Sequence, residues 1–385
     1  MATGKRLQIP YLMRAYLTRE PVILALLTLL AVVLFGVVGG LSRAFHAQQD
    51  SLGQRWFSRG LADLQAQRFD SAVTEFRAAL RYSRDNYSYQ LNLAEALVGL
   101  KRTAEAYTYF INLWDRQPED GLVNLELARI AAQKQETDRA LRFYHNAIYA
   151  TWPGDEEVER RDARLELIEF LLRINSKAQA QAELIALEAN LGDDAAEQAR
   201  VGDLFVRAQD YEHALTAYRL ALKADRHNQT ALAGAGLAAF ELGRYPIAQR
   251  YLQAAVAADA SDTQSSTNLK TTELVLQMDP FRRDLSAAQR DRNVVEAFAS
   301  AGERLKNCGS ANGSAVHGSA AQTSLADEWT KMKPQVSEFA LGRNPDTVNA
   351  AMELVFSIER QTSAACAPSG TDLALLLIAK AHEGN

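Results

Sequence analysis

The chain has few cysteines and no long block of charge of one sign. Cys308 and Cys366 are the only cysteines among its 385 residues, and two cysteines that lie far apart and form no CxxC pair do not make a zinc site. The net charge is −5, and the sequence lacks the clustered basic side chains that bind a phosphate backbone. These absences argue against a zinc-dependent fold and against a nucleic acid as the main partner.

Recognisable catalytic motifs are also missing. The six histidines include no HExxH pair, and the sequence contains no phosphate-binding loop, GxSxG motif or dinucleotide fingerprint. Gly234 and Gly236 form a GxG, but within a repeated helical pattern, where a packing role explains them better than nucleotide binding. We therefore predict a protein that is not an enzyme and uses no metal or cofactor. The remaining enzymatic interpretation would place a site in residues 281–385.

One long apolar run occupies residues 22–41 (VILALLTLLAVVLFGVVGGL) without a charged residue. About 20 helical residues, at ~1.5 Å each, span the ~30 Å hydrocarbon core of a bilayer. We therefore predict a transmembrane helix over residues 21–42, and Pro21 is well placed at its start. A cleaved signal peptide is the alternative, although its apolar core is usually shorter, about 7–15 residues.

Basic residues flank this run unequally. Four precede it within residues 1–20, whereas only Arg43 and Arg55 follow it closely. The positive-inside rule then predicts a cytoplasmic N-terminus over residues 1–20, an inner-membrane span, and a periplasmic location for the remainder. Gly36 and Gly40 form a small-xxx-small pair that could join two spans in a homodimer. Glycines that simply lie near a helix end are the alternative.

The body of the chain repeats with a fixed period. A small residue is followed four positions later by a large apolar or aromatic residue. The small residues are Ala72, Ala106, Ala140, Ala180, Ala214 and Ala248, and successive members lie 34, 34, 40, 34 and 34 positions apart. Twelve positions before each alanine a second, mostly small series stands at Gly60, Ala94, Ala128, Ile168, Gly202 and Gly236. A period in this range is typical of a solenoid of paired helices. The small residues would let the paired helices approach, and the large ones would fill the gap beside them.

These units resemble the tetratricopeptide repeat (TPR) family. The clearest match is VGDLF at residues 201–205 with DYEHALTAYRLAL at residues 210–222, and LGRY at residues 242–245 with Ala248 repeats much of it. The resemblance covers residues 53–262. It implies an all-α fold. Residues 53–280 would form a TPR-type α-solenoid of about six repeats plus a capping helix at 264–277. The concave groove of this solenoid would bind protein partners.

The sequence departs from the family pattern in places. The family's tryptophan survives only as Trp56, its closing proline clearly only as Pro118, and the fourth unit has Ile168 where a small residue is usual. An insertion near residues 151–157 precedes that unit. We expect a loop or irregular packing there.

The first helix of each unit lines the groove in TPR proteins. Carrying this register over gives the candidate partner-binding residues Asn92, Glu95, Glu126, Arg129, Glu166, Glu169, Arg200 and Asp203. Some family members clamp a peptide carboxylate with lysine and asparagine, but the matching lysines are absent here. The many carboxylates favour a basic or mixed-charge segment, or a helix laid in the groove. A solvated helix face with charge pairs is the alternative.

Residues 281–385 resemble no family that we recognise. We predict a small helical region with helices over 284–307, 323–341, 345–362 and 371–382, and a flexible linker near 308–321. Cys308 and Cys366 each follow a helix, and outside the cytoplasm they would form a disulfide, which at this loop length could add about 4 kcal/mol. Two free thiols are the alternative.

Together these features predict a membrane-anchored scaffold that binds an envelope or secreted protein through the concave groove. The alternative is an accessory structural subunit of a larger membrane complex, docked through Gly36, Gly40 and the C-terminal helices. A fold alone does not identify the process.

Overall fold

The computed structural model describes residues 11–310, 320–364, 366–368 and 370–383. Throughout these residues the regular structure is helical, without a strand, which confirms the all-α prediction. Residues 1–10 of the predicted cytoplasmic segment and residues 311–319 of the predicted linker lie outside the described residues. The chain divides into two compact units, Met1–Leu167 and Ile168–Asn385, which we call the first and second units and describe separately.

Helix α1 (Tyr11–Gln65) is 55 residues long. Its apolar part is long enough and apolar enough to cross a membrane, and none of the most apolar window is buried inside the protein. The same helix continues without a break into the first repeat.

The first unit contains α1 and a run of shorter helices. These are α2 (Phe69–Leu80), α3 (Tyr87–Gly99), α4 (Thr103–Arg116), α5 (Gly121–Gln133), α6 (Thr137–Ile148) and the larger part of α7 (Glu156–Arg173). The end of α1 pairs with α2, α3 with α4, and α5 with α6. In each pair the first helix is odd-numbered and the second is even-numbered.

The second unit continues this alternation and ends in a group of helices that we call the C-terminal bundle. The repeat helices are α8 (Lys177–Glu188), α9 (Ala195–Arg207), α10 (Tyr211–Ala224), α11 (Gln229–Glu241), α12 (Tyr245–Ala258) and α13 (Thr263–Met278). The C-terminal bundle comprises α14 (Ala287–Ser310), α15 (Ala320–Met332), α16 (Glu338–Arg343), α17 (Asp346–Ser363) and α18 (Thr371–Glu383).

Side-chain caps recur with the period of the repeat. An Asn or Asp side chain precedes a first helix and accepts a hydrogen bond from the backbone N–H three positions on, at 2.8–3.1 Å, at Asn86, Asp120, Asp194, Asn228 and Asp262. Such a cap satisfies one of the free N–H groups at a helix start and contributes about 1 kcal/mol. The series of caps extends to α13, which therefore begins in the same way as the first helix of a further repeat would.

The turn between the two helices of a repeat also recurs. One residue in each turn has a positive φ of 56–69°, at Gln67, Lys101, Gln135, Asn175, Gln209 and Gly243. These positions follow one another in the same steps as the alanine series. The chain thus reverses at the same point of every repeat.

Close packing between paired helices explains why small residues recur on the first helix of each repeat. A Cβ atom at Gly60 would lie 2.5 Å from the Phe76 ring, and one at Gly202 would lie 2.6 Å from the Tyr218 ring. These distances are too short for a real Cβ, so the paired helices approach as closely as they do only because glycine is present. Gly234 is likewise pressed against Tyr218. The GxG motif is therefore a packing feature.

The insertion near residues 151–157 has an ordered start. Trp152 is buried, and its Nε1 donates to the Ala147 carbonyl at 2.9 Å. A Cβ at Gly121 would lie 2.3 Å from the Trp152 ring, and the Gly121 N–H donates to the Thr151 carbonyl at 3.0 Å. The tryptophan thus fills the space between the end of α6 and the start of α5.

The C-terminal bundle differs from the sequence prediction around Pro334. The single helix predicted over residues 323–341 is wrong, because α15 ends at Met332, a 3-10 turn follows, and α16 begins after the Ser337 cap. Pro334 has no N–H to donate and its ring blocks the preceding turn, so an α-helix does not continue through it.

The C-terminal bundle shares its core with the end of the array. Val275 and Met278 of α13 are buried in one cluster with Phe298, Met352 and Leu375 of the C-terminal bundle. Residues 281–385 are therefore packed against the last helices of the array.

Candidate partner-binding site

The eight groove candidates divide between the two units. Asn92, Glu95, Glu126, Arg129 and Glu166 belong to the first unit, and Glu169, Arg200 and Asp203 belong to the second. All eight lie on first helices, as the register predicts. The register does not predict which side chains form ion pairs or hydrogen bonds with these eight residues.

In the first unit, Arg129 joins two carboxylates. Its Nε donates to Glu166 Oε2 at 2.9 Å, and its Nη1 donates to Glu126 Oε1. Glu126 is 8% exposed, whereas the Arg129 side chain is 40% exposed, so only the carboxylate of this ion pair is shielded from water. Arg129 thus links α5 to α7.

Glu95 is the third carboxylate of this face, and we call Glu95, Glu126 and Glu166 the acidic cluster. Burial, together with the negative charges of Glu126 and Asp120, raises the pKa of Glu95 to about 7. Among the residues that the structure describes, no basic side chain pairs with Glu95. Two of the three carboxyl groups of the acidic cluster therefore share one guanidinium, and a cation placed near Glu95 would be stabilised.

Asn92 does not join the acidic cluster. Its Nδ2 donates to the Ser88 carbonyl of the same helix at 2.8 Å. Part of its hydrogen-bonding capacity is therefore used within α3.

In the second unit, the candidates pair with residues that the sequence did not single out. Arg207 donates through both terminal nitrogens to Glu169 at 2.9 and 2.8 Å, and these hydrogen bonds lower the pKa of Glu169 against an opposing effect of burial. The Tyr218 hydroxyl donates to Asp203 Oδ1 at 2.6 Å. Arg200 lies close enough to Glu169 to favour its charged form.

Asp203 borders a cavity of about 390 Å³, which we call the second-unit pocket. Three first helices in succession, α9, α11 and α13, line it. Its apolar wall comprises Val206, Ala233, Gly234, Leu237 and the Tyr218 ring, and polar side chains come from Asp203, Arg207, Thr230, Asp262, Gln264, Ser265 and Asn268. An apolar floor with a few convergent polar groups is the usual composition of a binding pocket.

The α13 wall of this pocket was missed because residues 264–277 were interpreted only as a cap. Asp262 stands one repeat period after Asn228, and both cap a first helix. Continuing that cap series would have placed Ser265 and Asn268 on the groove side.

Two further observations concern the chemistry of the chain. No group of three or more His, Cys, Asp or Glu side chains in the described residues is arranged to hold a metal ion. The Cα atoms of Cys308 and Cys366 lie 6.0 Å apart, and their sulfur atoms are bonded.

Residues 57–114 and 200–263 match the sequence profile of the family described as Tetratricopeptide repeat. No curated protein matches the chain at a significant level.

Several solved structures show similarity to the chain at low sequence identity. YrrB, a TPR protein with an unusual peptide-binding site, is 14% identical with a TM-score of 0.40, covering 50% of this chain and 96% of its own. The C-terminal part of a TPR repeat-containing protein from Cytophaga hutchinsonii is 10% identical with a TM-score of 0.45, covering 83% and 99%. The TPR2AB domain of yeast Sti1, solved in a complex with pHSP90, is 18% identical with a TM-score of 0.28, covering 66% and 92%.

Proposed function

We propose that this protein binds a segment of a partner protein on the first helices of its repeats. The chain belongs to the tetratricopeptide repeat family, whose members are typically non-enzymatic protein-interaction scaffolds. The observation that carries this proposal is the second-unit pocket. Its volume of about 390 Å³ suits side chains of an extended or helical segment. Apolar side chains of the partner would contact the apolar wall, and the amides of Gln264 and Asn268, which hydrogen-bond to each other at 3.2 Å, would offer polar contacts beside it.

The acidic cluster supports a preference for a basic segment. Glu126 and Glu166 share Arg129, whereas Glu95 has a pKa of about 7 and is half charged near neutral pH. A lysine or arginine of the partner beside Glu95 would supply the missing positive charge and lower that pKa. A partner segment bound at the acidic cluster would therefore carry a basic residue.

The N-terminal helix supports a membrane anchor. Its apolar part has the length and composition of a membrane span and is not covered by the rest of the protein. With the basic residues of the N-terminus held in the cytoplasm, the repeats would lie in the periplasm, and the partner would be an envelope or secreted protein.

Site-specific photo-crosslinking in native membranes tests the binding surface. A benzoylphenylalanine replaces Thr230, which borders the second-unit pocket, and a matched control replaces Thr216, which is exposed on the second helix α10. We expect a discrete adduct from position 230, lost when Asn268 is changed to alanine, and none from position 216. Equal adducts at both positions, or none at either, would contradict the proposed surface.

The anchor and its orientation have a separate test. Spheroplasts are treated with protease, with and without detergent. Digestion of the repeats in intact spheroplasts supports the periplasmic location, whereas protection until detergent is added would reverse the orientation. Release of the protein by carbonate washing would contradict the anchor.

A further inference from the structure

Helix α13 links the second-unit pocket to the C-terminal bundle. Its first turns supply Ser265 and Asn268, both largely buried, to the pocket. Its last turns bury Val275 and Met278 in the core shared with the C-terminal bundle. Unlike the first helices before it, α13 is not followed by a second helix of the repeat pattern, so its apolar end is covered by the C-terminal bundle instead.

Helix α18 provides much of that cover. Leu375 and Ile378 of α18 are buried in the same core, and the Tyr245 hydroxyl of α12 lies 3.5 Å from the Leu377 carbonyl. Helix α18 therefore packs against α13, as α11 and α12 also do.

A single buried arginine holds the start of α18. Arg304 of α14 is 6% exposed. Its Nη1 donates to Asp372 Oδ2 at 2.6 Å, its Nη2 to the Cys366 carbonyl at 2.7 Å and its Nε to Thr362 Oγ1 at 2.7 Å. One side chain thus joins α14 to the end of α17 and to the first turn of α18.

The disulfide lies beside this arginine. Cys308 follows Arg304 by one helical turn on α14, and it is bonded to Cys366, whose carbonyl accepts from Arg304. The disulfide therefore fixes the acceptor that orients the guanidinium.

A buried carboxylate, that of Glu359, lies beside Arg304. Its side chain is 0% exposed, and its Oε2 lies 3.1 Å from Arg304 Nε. Neither carboxylate oxygen accepts a hydrogen bond from the described residues. Burial and the charge of Asp372 raise the pKa of Glu359 to about 7, and the charge of Arg304 opposes that rise. Moving the arginine away would therefore leave a buried carboxyl without its positive neighbour and favour its protonated form.

We propose that the Cys308–Cys366 disulfide is a redox-controlled latch, and that its reduction releases α18 from α13 and thereby weakens partner binding at the second-unit pocket. The pocket's role rests on the proposed function, whereas the latch itself rests on the contacts of Arg304, Glu359 and the disulfide. A dithiol reductant supplies the two electrons. One of its thiolates attacks the sulfur of Cys366, the less buried of the two residues, and the Cys308 thiolate leaves. The second thiol then displaces Cys366, the reductant becomes a disulfide, and each cysteine thiolate takes up a proton.

The test compares oxidised and dithiothreitol-reduced full-length protein in detergent micelles by hydrogen exchange. We expect exchange in α13 and α18 to become at least ten-fold faster after reduction, while α9 is unchanged. The Cys308→Ser/Cys366→Ser double variant should match the reduced protein. Unchanged exchange in α13 and α18, or equal acceleration in α9, overturns the latch.

Two further measurements separate the latch from the pocket. Arg304→Lys keeps the charge but loses the fork of donors, so it should accelerate exchange in α18 without reduction, whereas the exposed control Arg292→Lys should not. In native membranes, the adduct from benzoylphenylalanine at position 230 should fall at least five-fold in the double-serine variant. An adduct absent even from the oxidised protein contradicts the pocket, while hydrogen exchange still decides the latch. An undiminished adduct contradicts the coupling between the two.

Discussion

Five of the six repeat turns place a side chain in the left-handed region of backbone conformation, at Gln67, Lys101, Gln135, Asn175 and Gln209, and only the last uses glycine, at Gly243. All five side chains are exposed, so their removal loses little packing. Replacement by glycine should therefore stabilise the array, in contrast to the usual effect of introducing glycine into a structured region.

The size of the gain follows from two opposing terms. An L-residue in this conformation costs roughly 1–2 kcal/mol, and glycine loses about 0.5–1 kcal/mol more backbone entropy on folding. The difference is about 0.5–1 kcal/mol for Gln67→Gly, Lys101→Gly, Gln135→Gly or Gln209→Gly. Asn175→Gly should gain less, because asparagine adopts this conformation more readily. Gly243→Ala should reverse the sign.

Urea unfolding of the full chain in detergent, followed by far-ultraviolet circular dichroism, measures the effect. With an m-value of about 3 kcal/mol/M, each glutamine or lysine replacement should raise the midpoint by about 0.2–0.3 M. The four substitutions lie in separate turns, so their gains should add. A lower midpoint for all four single variants, or a Gly243→Ala variant as stable as the parent, would refute this account of the turns.

Three further predictions concern a cap, an insertion and a groove carboxyl. Asp194→Ala should lower stability by about 1 kcal/mol through loss of the α9 cap, whereas Asp194→Asn should not, by urea unfolding. Gly121→Ala places a Cβ against the Trp152 ring and should cost about 1–3 kcal/mol; Gly192→Ala, with open space around it, should be nearly neutral in the same assay. Burial raises the pKa of Glu95 to about 7, so its contribution to stability is complete below its unfolded pKa and is lost as the pH rises through 7. Glu95→Gln should therefore show a smaller fall in urea midpoint between pH 5 and 8, and an unchanged fall would contradict the raised pKa.

The array was predictable from the sequence because helix packing and the turns between helices repeat with one period, and each selects particular residues at fixed positions. The small residues, the large residues facing them, the capping Asn and Asp side chains and the left-handed turn residues all recur with that period. The one interruption, near Trp152, is visible in the sequence as the single longer step of the alanine series. Its ordered contact with Gly121 was not predictable, because the partner glycine lies a full helix pair earlier in the chain and belongs to no shared motif.

The candidate site was only partly predictable. Periodicity places Glu169 and Asp203 on the first helices, but it does not show that Arg207 and Tyr218 are their partners. Those pairings depend on how closely successive helices approach. Arg207 lies one turn after Asp203 on the same face, so extending the register by one helical turn would have included it.

The C-terminal bundle shows a different limit. Its amphipathic patterns predict helices, but the hydrophobic spacing continues past Pro334 and concealed the break there. The ion pair of Arg304 with Glu359 had no local signal, because each is an ordinary charged residue within a helix that also carries exposed charges. Their burial becomes apparent only when α14 and α17 are packed together.

The end of the array explains why residues 281–385 cannot be separated from the repeats on sequence similarity alone. The repeat pattern ends with α13, yet a helix that lines a pocket with one end must have its apolar end covered, since exposed Val275 and Met278 would cost the free energy of their burial. In earlier repeats a second helix immediately along the chain provides that cover. Here it comes from the C-terminal bundle, including α18, the last of the described helices, so the structural boundary of the array lies beyond the point at which its sequence period stops.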